Sequence, residues 1–174
     1  MEDLRYPIGN FDLRNPVTPD EVKRALDDIE EAPAKVRQAV ASLDPEQIET
    51  PYRPGGWTIR QVVHHIPDSH INSYTRFRFA LTESNPPVKG YMEDRWAELV
   101  DARTASMDLS LNLLEALHKR WIILLRSLKG EDLKRTFQHS QYGPISLDRN
   151  ICLYGWHGRH HTAHITSLRK RMGW

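Results

Sequence analysis

Four of the chain's nine histidines fall within His157-Gly-Arg-His160-His161-Thr-Ala-His164. Positions four apart in a helix lie one turn apart on one face, so His157 and His161 can aim two imidazoles at one point, and His160 and His164 can do the same. Two imidazoles are half of a metal site. A third must come from another element, and the adjacent pair His64 and His65, about a hundred residues upstream beside Asp68, is the natural source. Three neutral imidazoles form a ligand set that leaves a fourth position open for water or substrate, and zinc, nickel, copper and iron all accept it. An open centre of this kind makes hydroxide near neutral pH, which serves hydrolysis, or holds a thiol as thiolate, which serves S-transfer. The stretch lacks the glutamate of the His-Glu-x-x-His protease helix, so that chemistry is excluded.

Helical phase distinguishes the two pairs. Tyr154, His157, His161, Ile165, Leu168 and Met172 advance by three or four and trace one stripe, so His157 and His161 interrupt an otherwise core-facing surface. His160 and His164 share a stripe with Leu153, Trp156 and Arg171, which suits a flank or a partner surface. An imidazole turned to a core is costly unless it is hydrogen-bonded or ligated, and two side by side repel when both are charged. A divalent cation bound by their neutral forms removes both costs. His65 lies with Val62, Ile66 and Ser69 on the inward face of a separate helix, while His64 points about 100° further round. Alone, His65 reads as an ordinary hydrogen-bonding core residue; the pair on the last helix gives it weight as the third ligand.

Other chemical groups rank lower. Asp68, one turn past His65, suits a partner for a ligand imidazole or a general base, and equally a solvated helix residue. Cys152, in mid-helix, reads as a small buried side chain, because reactive thiols favour helix N-termini and electropositive pockets. His118 and His139 lie outside both clusters and are expected at the surface or in loops.

The elements that must position these groups are legible in outline. Residues 1–17, with Pro7, Gly9 and Pro16, read as an extended arm. Thr18 before Pro19 and Glu21 marks a helix start, and Leu26, Ile29, Val36, Val40 and Leu43 keep helical spacing, with Pro33 expected to bend or split the helix. Asp44-Pro45-Glu46-Gln47 is a second, short start. Thr58 with Gln61 forms a capping box that opens the helix carrying His65; Pro67 predicts a kink there, and Pro86 and Pro87 stop it. A long connection over 84–92 leads to a short amphipathic piece around Trp96, Leu99 and Val100. Leu109, Leu113, Leu114, Leu117, Trp121, Leu124, Leu125 and Leu128 define a third long helix ending at Gly130. Residues 131–144 read as a short helix and an irregular loop, and Ser146 caps a last helix running to about Met172. Four main helices with longer links after the second and third predict an all-α four-helix bundle in one domain spanning 1–174.

Composition is consistent with this. At 174 residues, 27% charged and 39% hydrophobic, the chain suits one folded core, and a formal net charge of +1 provides no field to draw polyanions. Arg159, Arg169, Lys170 and Arg171 read as a basic helix end favourable to the dipole, so nucleic acid is not an expected partner. One cysteine excludes an intramolecular disulfide; the first residues show no basic region followed by an apolar run, so no secretory signal is expected, and no apolar run approaches the roughly 20 residues that would span a bilayer. A cytoplasmic protein acting on a small molecule is expected.

The stretch Gly55-Gly56-Trp57-Thr58-Ile59-Arg60-Gln61-Val62-Val63-His64-His65, with Asp68 and Ser69, resembles the second-helix signature of the DinB-like four-helix proteins. Trp156-His157 through His164-Ile165 resembles their closing histidine motif. The similarity is greatest to the YfiT-like branch of metal-dependent hydrolases, related to bacillithiol S-transferases, and it extends from Tyr6-Pro7-Ile8-Gly9 to Arg171-Met172-Gly173-Trp174. It implies one divalent metal ion per chain, zinc or else nickel, held by His65, His157 and His161. Hydrolysis is the implied activity, with S-transfer to a low-molecular-weight thiol or a non-catalytic metal module as alternatives, and a homodimer is the implied assembly. Pro67 departs from the family pattern, in which a small residue is usual.

Overall fold

The computed structural model describes residues 3–174. Its long helices begin where the sequence provides caps. The Thr18 hydroxyl accepts from the Glu21 amide while the Glu21 carboxylate accepts from the Thr18 amide, opening α1 (Pro19–Val40). The same reciprocal pattern between Asp44 and Gln47 opens the single turn α2 (Pro45–Ile48), and between Thr58 and Gln61 it opens α3 (Ile59–Thr82). Two short helices follow, α4 (Glu93–Trp96) and α5 (Val100–Thr104), then the long α6 (Met107–Ser127), the short α7 (Gly130–Lys134) and the terminal α8 (Leu147–Met172).

Helices α1, α3, α6 and α8 form the expected four-helix bundle, with α1 packed along α8 and α6, and α3 against α6 and α8. Ile29 of α1, Phe77 of α3, Trp121 of α6 and Ile151 of α8 meet in one apolar cluster. Val36, Ile66, Leu114 and Ile165 of the same four helices meet in a second. Close approach of α8 to α1 depends on small residues: a Cβ on Gly158 would stand 3.2 Å from the Ala32 Cβ.

Three expectations need correction. The links are not purely irregular, because β1 (Pro87–Val88) pairs in parallel with β2 (Thr136–His139), which pairs antiparallel with β3 (Gly143–Ser146). Strands of two to four residues are too short for an alternating pattern to stand out. Pro33 does not split α1, which runs as one helix, and α3 likewise runs on past Pro67. Proline removes one intrahelical donor, and packing against neighbouring helices of the bundle holds the remainder of the helix in register. In α1, the Ile29 carbonyl left without its usual partner accepts instead from His118 Nδ1 at 2.5 Å. His118 is therefore a core residue, 2% exposed, and His139 is buried on β2 rather than lying at the surface. Among the described residues, no helix is long and apolar enough to cross a membrane.

Candidate metal centre

The capping box at Thr58 sets the phase of α3 so that His65 faces α8, where the i, i+4 spacing of His157 and His161 brings two more imidazoles. One ring nitrogen from each of the three lies within 4.8 Å of the others. The Nε2 atoms of His65 and His157 are 3.3 Å apart. Two nitrogens bound tetrahedrally to one zinc at about 2.0–2.1 Å would be separated by about 3.3–3.4 Å, so this spacing fits a shared divalent cation. Trp57, from the turn before α3, tilts against His65 with ring centres 4.6 Å apart and lies nearly parallel to His161 at 6.3 Å.

Electrostatics favour a cation over protons. Burial pulls the His65 pKa down to about 3, and pulls His157 and His161 well below the ordinary histidine value; repulsion from neighbouring imidazoles, His160 and His164 among them, lowers all three further. All three rings are neutral near pH 7 and each keeps a lone pair, the form a metal requires. The Nδ1 of His161 is buried with no hydrogen-bond partner among the described residues. A buried nitrogen left this way costs free energy unless it meets a partner or a cation, so the donor set fits a metal better than it fits a self-satisfied core.

A second grouping is also close enough. His160, His161 and His164 bring one nitrogen each within the same 4.8 Å, and the Nδ1 atoms of His160 and His164 are likewise unpartnered among the described residues. These two residues are not on a bare flank. His164 Nε2 donates to the Arg5 carbonyl at 3.0 Å and its ring stacks on Tyr52 at 3.9 Å, while His160 stacks on Trp156 at 4.3 Å with Tyr6 beyond. The N-terminal arm thus covers both, anchored further by the Trp156 indole donating to the Gly9 carbonyl.

His64, the neighbour of His65, turns away as its phase requires, with Nε2 donating to the Ala105 carbonyl and Nδ1 accepting from Ser110. Asp68 is not brought to the triad. It borders a separate cavity of about 300 Å³ with Asn72 and Trp96, because three residues of helix carry it some 60° past His65. Burial and the Asp101 carboxylate push its pKa up to about 6. Cys152 is buried as expected, its thiol pushed up to about 11.

The residue that sequence reasoning missed is His70. It is fully buried, with Nδ1 2.7 Å from His118 Nε2 and Nε2 3.0 Å from His157 Nδ1. The stripe Ile66, His70, Ser73, Phe77 on α3 carries the signal that could have found it. The triad itself opens into a cavity of about 430 Å³, walled by aromatic rings, by Arg5, Arg53 and Arg76, and by the carboxylates Glu93 and Asp94. That volume admits a small molecule and gives it both cationic and anionic contacts.

A family model described as the DinB superfamily matches residues 28–165. Curated relatives from Bacillus cereus strain 03BB102 and Bacillus thuringiensis subsp. konkukian strain 97-27 are each 55% identical over 174 residues, covering all of both chains, and both are provisionally named metal-dependent hydrolases. The solved structure of YfiT from Bacillus subtilis, described as a probable metal-dependent hydrolase with an unusual four-helix bundle topology, superposes with a TM-score of 0.94 at 48% identity over 98% of each chain. A second solved four-helix bundle protein, TT2238, matches with a TM-score of 0.56 at 18% identity over 88% of this chain and 99% of its own, a likeness of fold.

Proposed function

The chain belongs to the DinB superfamily, and from that premise we propose that it is a metal-dependent hydrolase of a small molecule, with His65, His157 and His161 holding one divalent cation, zinc before nickel. The observation that carries the proposal is the pair of Nε2 atoms on His65 and His157, from helices α3 and α8, held 3.3 Å apart in a neutral, partly buried setting beside a cavity. Two lone pairs at that separation repel unless a cation or one tautomeric N–H lies between them; a single N–H would serve this pair alone, whereas a cation also meets the buried Nδ1 of His161, unpartnered among the described residues. The names given to the relatives, with which this chain shares its full length, support the same reading.

A divalent cation bound by three neutral imidazoles supplies Lewis acidity and acidifies a water in the open position. The chain's own residues do the rest. Trp57 covers two of the three rings and keeps solvent from that side. Arg76, 9% exposed and donating to the Lys89 carbonyl, puts a guanidinium in the cavity wall where it can bind or orient an anionic portion of a substrate. Asp68, outside the cavity of the triad, has no part in this reading.

The test is elemental analysis of protein purified without chelator, followed by hydrolysis of a panel of aryl esters, lactones and amides before and after metal removal. About one equivalent of divalent metal per chain is expected, with turnover lost on stripping and restored by the metal. Absence of bound metal, or turnover of none of the panel with metal restored, overturns the proposal. Conjugation of a small thiol by the metal-loaded protein in place of hydrolysis would replace the reaction class while keeping the centre.

A further inference from the structure

His118, His70 and His157 form an unbroken line of hydrogen bonds through the bundle, and its direction can be deduced. Ile29 contributes a carbonyl oxygen, which only accepts, so His118 Nδ1 must donate to it. Burial pulls the His118 pKa down to about 4, and His70 is fully buried with imidazoles as its hydrogen-bond partners, which offers no counter-charge for an imidazolium, so each ring has one N–H and one lone pair. With its proton on Nδ1, His118 presents a lone pair at Nε2, and His70 Nδ1 donates to it across 2.7 Å. His70 Nε2 is then the lone pair, and it accepts from His157 Nδ1 at 3.0 Å. His157 is left with a bare Nε2, the atom that faces His65.

We infer that His70 and His118 are positioning residues for the metal centre, forming a relay that starts at the carbonyl released by Pro33 and fixes His157 in the tautomer whose Nε2 can ligate. The inference rests on the reading of His157 as a metal ligand and extends it to three residues with no contact to the cation. A ligand imidazole commonly donates its second N–H to a group that fixes its tautomer and orientation. Here the group is a neutral histidine whose own tautomer is set by a third ring. Pro33 acquires a role in this account. Its missing amide leaves the Ile29 oxygen open to His118, and so a proline in the first helix determines which nitrogen of His157 carries a proton on the last. The line ends at a carbonyl that cannot take up a proton, so it orients the ring and does not conduct charge to solvent.

Packing supports the geometry. Trp121 and Tyr154 set their rings nearly perpendicular to His70 at 5.8 and 5.0 Å, which blocks its rotation.

Nitrogen-15 NMR of the metal-free protein tests the tautomers without reference to activity. Protons on Nδ1 of all three rings are expected, with scalar couplings across the His70–His118 and His157–His70 hydrogen bonds. A proton on Nε2 of His157 or of His70 overturns the relay. Zinc affinity, measured by competition with a chromophoric chelator, provides the second readout. His70→Phe is expected to bind zinc about 10–100-fold more weakly. His70→Gln, whose side-chain oxygen can accept where Nε2 did, is expected within a few-fold of the original chain. Affinity unchanged in a folded His70→Phe overturns the inference. Should the unaltered protein bind no zinc, the metal reading fails, and the tautomers decide the relay separately.

Discussion

Gly155 of α8 lies against Ala25 of α1 so closely that a Cβ on the glycine would stand 2.8 Å from both the Cα and the Cβ of that alanine. Real atoms do not approach that near, and the neighbour on one side is backbone, so the two helices would have to part. Gly155→Ala is therefore expected to destabilise by about 1–3 kcal/mol, as overpacking does, despite the better helix propensity of alanine. Urea denaturation at pH 7.5 checks this. Because Gly155 is two residues from His157, zinc affinity should fall together with stability; a variant of undiminished stability would mean that α1 and α8 do not meet here.

Acid should unfold the metal-free protein through its histidines. Burial holds the folded His118 pKa at about 4, against an ordinary value of 6.5. The unfolded chain therefore binds the proton first, and stability is fully present above pH 6.5 and declines as pH falls from there toward 4. A shift of this size corresponds to on the order of 3 kcal/mol for this group once both states are protonated. His160, pulled down to about 3, adds loss over the same range. Urea midpoints measured between pH 8 and 4.5 should be flat at first and then fall steadily, with a shallower fall in His118→Phe. A midpoint unchanged down to pH 4.5 would be incompatible with neutral buried rings.

The bundle was readable in the sequence because its helices announce themselves locally. Caps at Thr18, Asp44 and Thr58 and the apolar stripes of α1, α6 and α8 depend on neighbours three or four residues away. The grouping of His65 with His157 and His161 followed from the same phase argument. What escaped was settled between elements. His118 sits on the stripe of Leu114, Trp121 and Leu125, yet the polarity of a single histidine points to the surface, and its buried partners, the carbonyl freed by Pro33 and the ring of His70, both come from other helices. Asp68 was placed by counting one turn, and the remaining 60° of phase sent it to another cavity. β1 pairs with β2 some fifty residues further along the chain, a pairing that no local pattern carries.

Cys152 should be inert. It is 6% exposed, and burial with the Glu21 and Asp148 carboxylates pushes its thiol from 9.0 to about 11. Two units reduce the thiolate fraction at pH 7.5 by about 100-fold, and the thiolate is the reactive form. Alkylation by iodoacetamide should accordingly be at least that much slower in the native protein than in denaturant, and Cys152→Ser should leave metal content unchanged. Rapid native labelling would place the thiol in an open, electropositive setting and reopen a role for it as a nucleophile.

Two overlapping groups of histidines compete for the metal, and single substitutions separate them. His65 and His157 belong to one group alone, His160 and His164 to the other, and His161 to both. The first group carries the Nε2 pair at 3.3 Å, whereas His164 has one nitrogen committed to the Arg5 carbonyl, and His160 and His164 lie beneath the N-terminal arm. Metal at 100 times its dissociation constant stabilises a folded site by about 2.7 kcal/mol, a rise of about 5–10 °C in Tm for a domain of this size. That rise should vanish in His65→Ala, His157→Ala and His161→Ala and persist in His160→Ala and His164→Ala, as read by differential scanning calorimetry with and without zinc. The reverse pattern would move the cation to the side of α8 that faces the arm, and it would leave the 3.3 Å separation of His65 and His157 to be explained by a shared proton instead.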